Sequence, residues 1–262
     1  MKLRFNKFGY AMMLFLAFSC YGNLSAKLCK SPSGTQSEKF MKKIPNNTKI
    51  NKILFLGNSI SLHGPSKAVD WAGDWGMAAS CRDKDYVHIL SRSLSKITGV
   101  KPKVMIENIG AFEQQYETYD VIKKLKKGFE FKADTVIVAL GENVPPLNSE
   151  KSKKIFRDSM RTLLINLKTN SNPVIVVRSC FWPDNAKDKI LRQTCKEIDG
   201  IFVDISELSK NEANYARSER KYSHKGVAAH PGDRGMQAIA DAILNEMKKA
   251  GHAKPKPLKT RM

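Results

Sequence analysis

Lys52-Ile53-Leu54-Phe55-Leu56-Gly57-Asn58-Ser59-Ile60 is the stretch from which the rest of the chain can be read. Lys52 to Leu56 is short and nearly continuous in apolar character, the pattern of a strand covered on both faces. Gly57 then permits a tight turn, and Ser59 follows at the carboxyl end of the strand. Open parallel sheets bind their ligands at that edge. Taken alone, a serine here reads as the cap of a following helix.

Working outward, four further β-branched runs repeat the pattern: Lys103 to Ile109, Thr135 to Leu140, Val174 to Arg178 and Ile201 to Ile205. Between them lie stretches with apolar residues at helical spacing, namely Asp83 to Thr98, Tyr116 to Gly128, Ser149 to Thr169, Asn185 to Ile198 and Asp233 to Lys249. Alternation of this kind builds a parallel sheet of about five strands with helices on both faces, a three-layer α/β/α domain. With 262 residues, 42% of them apolar, the chain suffices for one sizeable core. The domain is expected over residues 52–250. Ser61 to Arg82 is long for a strand-to-helix connection and reads as a functional loop.

The strand ends carry the chemistry. Gly110 closes the second strand in Asn108-Ile109-Gly110-Ala111, Gly141-Glu142-Asn143 closes the third, and His230-Pro231-Gly232 opens the last helix. In these blocks, together with Gly57-Asn58-Ser59, the sequence resembles the SGNH/GDSL hydrolases over most of Lys52 to Lys249. That family's blocks supply a serine, a glycine, an asparagine and a histidine in this order. The resemblance implies a flavodoxin-like sheet and ester hydrolysis through an acyl-enzyme. It makes Ser59 the nucleophile and His230 the base that takes its proton and returns it to the leaving alcohol. The oxyanion would lie between the backbone N–H groups of Ser59 and Gly110 and the side-chain amide of Asn143. Fixed donors of this kind are worth roughly 3 to 4 kcal/mol each.

Two departures from the family pattern stand out. Asn58 replaces the usual aspartate before the nucleophile, which removes a charge but no catalytic group. Val227 stands three residues before His230, where the family places an aspartate. A Ser-His dyad is therefore expected, its imidazole oriented by a backbone carbonyl, as in some carbohydrate esterases of the family. Asp233 is read as a first-turn residue of the last helix, where a carboxylate suits the helix dipole. Among the other histidines, His63 is a pocket candidate and His224 the rival to His230. His230 is preferred because Pro-Gly and a helix follow it.

Asp70-Trp71-Ala72-Gly73-Asp74-Trp75-Gly76 places two indoles beside two carboxylates close to Ser59 in sequence. Sugar rings offer apolar faces and hydroxyl edges, so Asp70, Trp71, Asp74 and Trp75 are candidate substrate contacts; filling the interior of a long loop is the equal alternative for the tryptophans. Phe112, Glu113 and Trp182 follow strand ends and are candidates to complete the pocket, Glu113 as an acid that binds substrate hydroxyls.

Lys2, Arg4 and Lys7, an apolar run from Phe8 to Phe18 and the small residues ending at Ala26 have the layout of a secretory signal over residues 1–26. Cleavage after Ala26 is the first choice, with acylation of Cys20 in Ala17-Phe18-Ser19-Cys20 as the alternative. A polar lead over residues 27–51 and a basic, disordered tail over residues 251–262 flank the domain. Cys29, Cys81, Cys180 and Cys195 would meet an oxidising compartment. Sequence leaves their pairing open and weakly favours Cys180 with Cys195; the spacing does not suit zinc.

The formal charge of +20 falls to +17 without residues 1–26, which hold three basic residues and no acid. The lysines are dispersed and no recognition-helix pattern is present, so no specific nucleic-acid partner is expected. A basic surface would instead draw the protein to acidic polysaccharides or an anionic envelope. No metal or organic cofactor is implied. The expected activity is hydrolysis of a small ester, acetyl foremost, on a carbohydrate outside the cytoplasm. The rivals are a lipid or thioester acyl hydrolase on the same machinery and a catalytically silent glycan-binding protein.

Overall fold

The computed structural model describes residues 50–252. The expected signal over residues 1–26, Cys20, Cys29, most of the polar lead and the basic tail beyond residue 252 lie outside the described residues. Five strands, β1 (Lys52–Gly57), β2 (Lys103–Asn108), β3 (Thr135–Ala139), β4 (Val174–Arg178) and β5 (Ile201–Val203), form one sheet in the order β2-β1-β3-β4-β5, every pair parallel. The helices are α1 (Tyr86–Thr98), α2 (Gly110–Gln115), α3 (Val121–Lys124), α4 (Lys126–Phe131), α5 (Glu150–Ser171), α6 (Asn185–Glu197), α7 (Lys225–Ala228) and α8 (Asp233–His252).

Side chains alternate across the sheet as the pleat demands. Ile53, Phe55, Ile137, Ala139 and Val176 face a core built with Leu90 and Leu94 of α1 and Ile239 and Ile243 of α8. Leu54, Leu56, Val136, Val138 and Val177 face the opposite core, built with Phe156, Leu163 and Leu167 of α5 and Ile190 and Leu191 of α6. Both faces being covered explains why the runs read as continuous rather than alternating. Truncating Leu54 or Leu56 to alanine would cost about 2–5 kcal/mol. Losing a helix cap costs about 1 kcal/mol, so core packing dominates the stability. The caps nonetheless set where helices begin: Asp85 accepts from His88 N, Ser149 from Ser152 N and Asp184 from Ala186 and Lys187 N.

The single helix expected from Tyr116 to Gly128 is instead two short ones, α3 and the start of α4, preceded by a non-helical stretch after α2. Asp120 caps a fresh start at α3 by accepting from Lys123 N, so the helical spacing is real but interrupted. The expected Cys180–Cys195 bridge is absent: both are free, buried thiols. Cys180 packs beneath Gly141 and Cys195 beside Gly200, and burial raises the pKa of each. Cys81 is disulfide-bonded.

In this strand order the chain leaves β1 for β2 on one side and reaches β3 on the other. The crevice between the carboxyl ends of β1 and β3 is therefore the switch point where such sheets hold ligands.

Candidate active site

The turn after β1 is fixed by what surrounds it. A Cβ on Gly57 would lie 2.0 Å from Ser61 Oγ, so close packing rather than an unusual φ requires glycine here. Asn58 O accepts from Ser61 N at 2.9 Å and Leu62 N at 3.1 Å, and Asn58 Oδ1 accepts from Ile60 N at 3.1 Å. Ser59 O accepts from Met77 N at 2.8 Å, which ties the turn to the long loop. The Ser59 side chain is thereby presented at the rim of the sheet.

His230 arrives from the far end of the domain. The segment from His230 to Gly232 is held by Ala216 N donating to His230 O at 2.8 Å and by Gly232 N donating to Asn214 O at 2.9 Å. Glu219 accepts from Asp233 N and Arg234 N, both at 2.8 Å, and so caps α8 immediately behind the histidine. The Nε2 of His230 lies 2.8 Å from Ser59 Oγ. Its Nδ1 lies 2.7 Å from Gly226 O, a carbonyl in the single turn of α7. Gly226 O also accepts from Ala229 N at 3.2 Å, and the imidazole takes its second lone pair. A proton on Nδ1 directed at that carbonyl leaves Nε2 as the acceptor for Ser59 O–H. Burial lowers the His230 pKa below the usual imidazole value of 6.5. Trp182 stands edge-on to the imidazole with ring centroids 5.4 Å apart.

The two meet in a cavity of about 280 Å³ that Gly110 and Asn143 also line. His63, Asn108, Gln114 and His224 complete its polar wall, and Val69, Met77 and Val227 its apolar one. The side-chain amide of Asn143 donates to Glu113 Oε2 at 2.6 Å, and Asn143 N to Glu113 Oε1 at 3.3 Å. Gly110 departs from the expectation of a free oxyanion donor: its N–H donates to Asn108 Oδ1 at 2.9 Å. No described residue accepts from Ser59 N–H.

Several expected contacts are corrected by the structure. Phe112 is fully buried in the core on the α5 side, where its ring packs on Tyr119. Glu113 is also fully buried, and its hydrogen bonds are made within the protein. Trp71 and Trp75 pack edge-to-face at 5.7 Å, with Gly73 against both indoles. Their ring N–H groups donate to His63 O and Ala79 O, so they fasten the loop and do not line the cavity. Asp70 accepts from Ser223 Oγ and exposed Asp74 pairs with Arg82. Trp182 touches the imidazole and does not border the cavity. Among the candidates, His63 does border it, and His224 caps α7 through Nδ1. Asp233 sits in the first turn of α8, bonded to Ser80 and Arg220. Sequence reading did not single out Asn108 or Gln114. Asn108 closes β2, and its place at a strand end was the available signal.

A scan against protein-family models gave no match, and no curated protein matches in sequence. Solved structures do match in shape. A GDSL-like lipase from Parabacteroides merdae superposes with a TM-score of 0.53 at 19% identity, covering 79% of this chain and 99% of that one. A family two carbohydrate esterase from Cellvibrio japonicus superposes with a TM-score of 0.50 at 14% identity, covering 77% of this chain and 62% of that one. The chain has the α/β fold of the SGNH hydrolases.

Proposed function

We propose that the protein is an exported serine esterase of the SGNH/GDSL type that removes small acyl groups, acetyl foremost, from carbohydrate. The observation that carries this reading is the 2.8 Å contact between Ser59 Oγ and His230 Nε2, with Nδ1 held on Gly226 O at 2.7 Å. A lowered His230 pKa supports a neutral imidazole ready to accept a proton near neutral pH.

In the first half-reaction Ser59 Oγ attacks the acyl carbon while Nε2 of His230 takes the hydroxyl proton. The carbonyl oxygen becomes an oxyanion, received by Ser59 N–H and the Asn143 side-chain N–H, with Gly110 N–H joining when Asn108 yields it. Collapse breaks the bond to the leaving alcohol, which receives the proton from His230. Water then attacks the acyl-Ser59 ester by the same route, and the acid and free serine are released.

A cavity of about 280 Å³ lies at the small end of the range for ligand pockets and favours a short acyl group over a long chain. Its wall of His63, Asn108, Gln114 and His224 suits hydroxyl-bearing substrates. The Cellvibrio japonicus neighbour, a carbohydrate esterase, lends the same direction to the substrate. Export draws on the layout of residues 1–26 and on the disulfide at Cys81, a bond typical of oxidising compartments. Association with an anionic envelope, through basic residues or lipid on Cys20, belongs to the same reading and draws on sequence alone. Ser59→Ala is expected to abolish release of acetate from acetylated xylan and of nitrophenol from its acetate ester. Retained turnover would refute the assignment.

A further inference from the structure

Behind the cavity lies a buried polar cluster whose members take no direct part in the reaction above. Glu113, Asn58 and Arg178 are 0%, 1% and 0% exposed. Glu113 Oε1 accepts from Gly141 N at 2.6 Å, Asn58 Nδ2 at 3.1 Å and Asn143 N at 3.3 Å, while Oε2 accepts from Asn143 Nδ2 at 2.6 Å. The backbone donors Gly141 N and Asn143 N cannot turn, so Oε1 is held as an acceptor. Burial and the nearby Glu142 raise the Glu113 pKa, and the hydrogen bonds from the Asn143 side chain, Gly141 N and the Asn58 side chain oppose that shift.

The second carboxylate is handled differently. Glu142 accepts from Arg178 Nη1 at 2.5 Å, Phe181 N at 2.9 Å and Asn58 Nδ2 at 2.8 Å. Burial works to raise its pKa, but the Arg178 charge and these hydrogen bonds outweigh it and hold Glu142 low. Asn58 thus gives its amide to both glutamates. An aspartate in its place would present a third carboxylate and no donor.

The consequence for Asn143 is directional. The last torsion of an asparagine is broad, and a free amide can present either its oxygen or its nitrogen to a ligand. Turning this amide over would set Asn143 Oδ1 against Glu113 Oε2, two acceptors in contact. We infer that Glu113 is a positioning residue: it fixes the Asn143 amide with one N–H anchored and the other left for the oxyanion, and Asn58 is the neutral bridge that lets this carboxylate lie beside the Glu142–Arg178 pair. The inference rests on the reading of Ser59 and His230 as the reacting pair.

The test is a double-mutant cycle on the full-length protein with nitrophenyl acetate. Glu113→Gln keeps the shape but offers only one acceptor oxygen. It is expected to lower kcat about 30- to 100-fold, approaching the loss from removing one oxyanion donor, with KM within about threefold. In the Asn143→Ala background the same substitution should change kcat less than about twofold, an outcome that general loosening of the fold would not give. A folded Glu113→Gln enzyme with kcat within about threefold of the parent overturns the inference, as does an equal loss in both backgrounds. Should Glu113→Gln not fold, Glu113→Asp, which withdraws the carboxylate from Asn143, is compared in the same two backgrounds with the same criteria. Ser59→Ala is run alongside. Turnover that survives it overturns the catalytic reading and this inference together, whereas loss there with no effect at Glu113 overturns only the inference.

Discussion

Nδ1 of His230 lies 2.7 Å from the carbonyl oxygen of Gly226, four residues earlier in the chain. Val227 occupies the position where the resembled family carries its aspartate, and Asp233 turns away to Ser80 at 2.7 Å and 2.6 Å. A carbonyl holds the imidazole tautomer but stabilises the imidazolium less than a full negative charge does. The imidazole is therefore oriented by the backbone, in a site that burial biases toward the neutral ring.

The pH dependence follows from that bias. His230 must be neutral to act as base, so kcat/KM should rise with pH through the His230 pKa and level off above it. Burial lowers that pKa, which places the midpoint of the acid limb below 6.5. A pH profile of nitrophenyl acetate hydrolysis checks this; a midpoint above the ordinary imidazole value would contradict it.

Restoring the family aspartate should do harm. Asn58→Asp removes the N–H donors that serve Glu113 and Glu142 and buries a third carboxylate between them. Repulsion would raise the pKa of the introduced carboxyl in the folded state above its unfolded value of about 3.9, so stability is lost as pH rises through that range. A cost of about 3 kcal/mol or more is expected at pH 7, roughly 6–12 °C in Tm, shrinking toward pH 4. Calorimetry at the two pH values decides the matter, and an unchanged Tm at pH 7 would count against the buried cluster as described.

Acyl-chain preference should follow the cavity. With about 280 Å³ available, an acetyl ester fits while much of an octanoyl chain stays in water and gains no burial. At least a tenfold higher kcat/KM for acetyl than for octanoyl nitrophenyl esters is expected. The reverse order would favour the lipid or thioester reading.

What the sequence disclosed, and what it hid, divides along physical lines. β1, β3 and β4 were legible because both of their faces are covered, the edge strands β2 and β5 through their β-branched runs despite greater exposure, and each observed strand overlaps its expected run. That Ser59, Gly110, Asn143 and His230 border one cavity was legible because each sits at a strand or helix end, where chain order and spatial order coincide. Glu113 was misread as a substrate contact because its partners Asn58, Gly141 and Asn143 lie 55, 28 and 30 residues away. For Trp71 and Trp75 the sequence left substrate contact and loop filling as equals, because their donors end on backbone carbonyls, which sequence does not display. The break at Asp120 was hidden because one capping side chain outweighs helical spacing locally.

The measurement that bears most directly on the account is covalent labelling of the protein by a fluorophosphonate, followed by mass mapping of the adduct. The pairing of Ser59 with His230 predicts one adduct, on Ser59, absent from Ser59→Ala and strongly slowed in His230→Ala. An adduct on another residue, or labelling of Ser59 at an undiminished rate without His230, would contradict it.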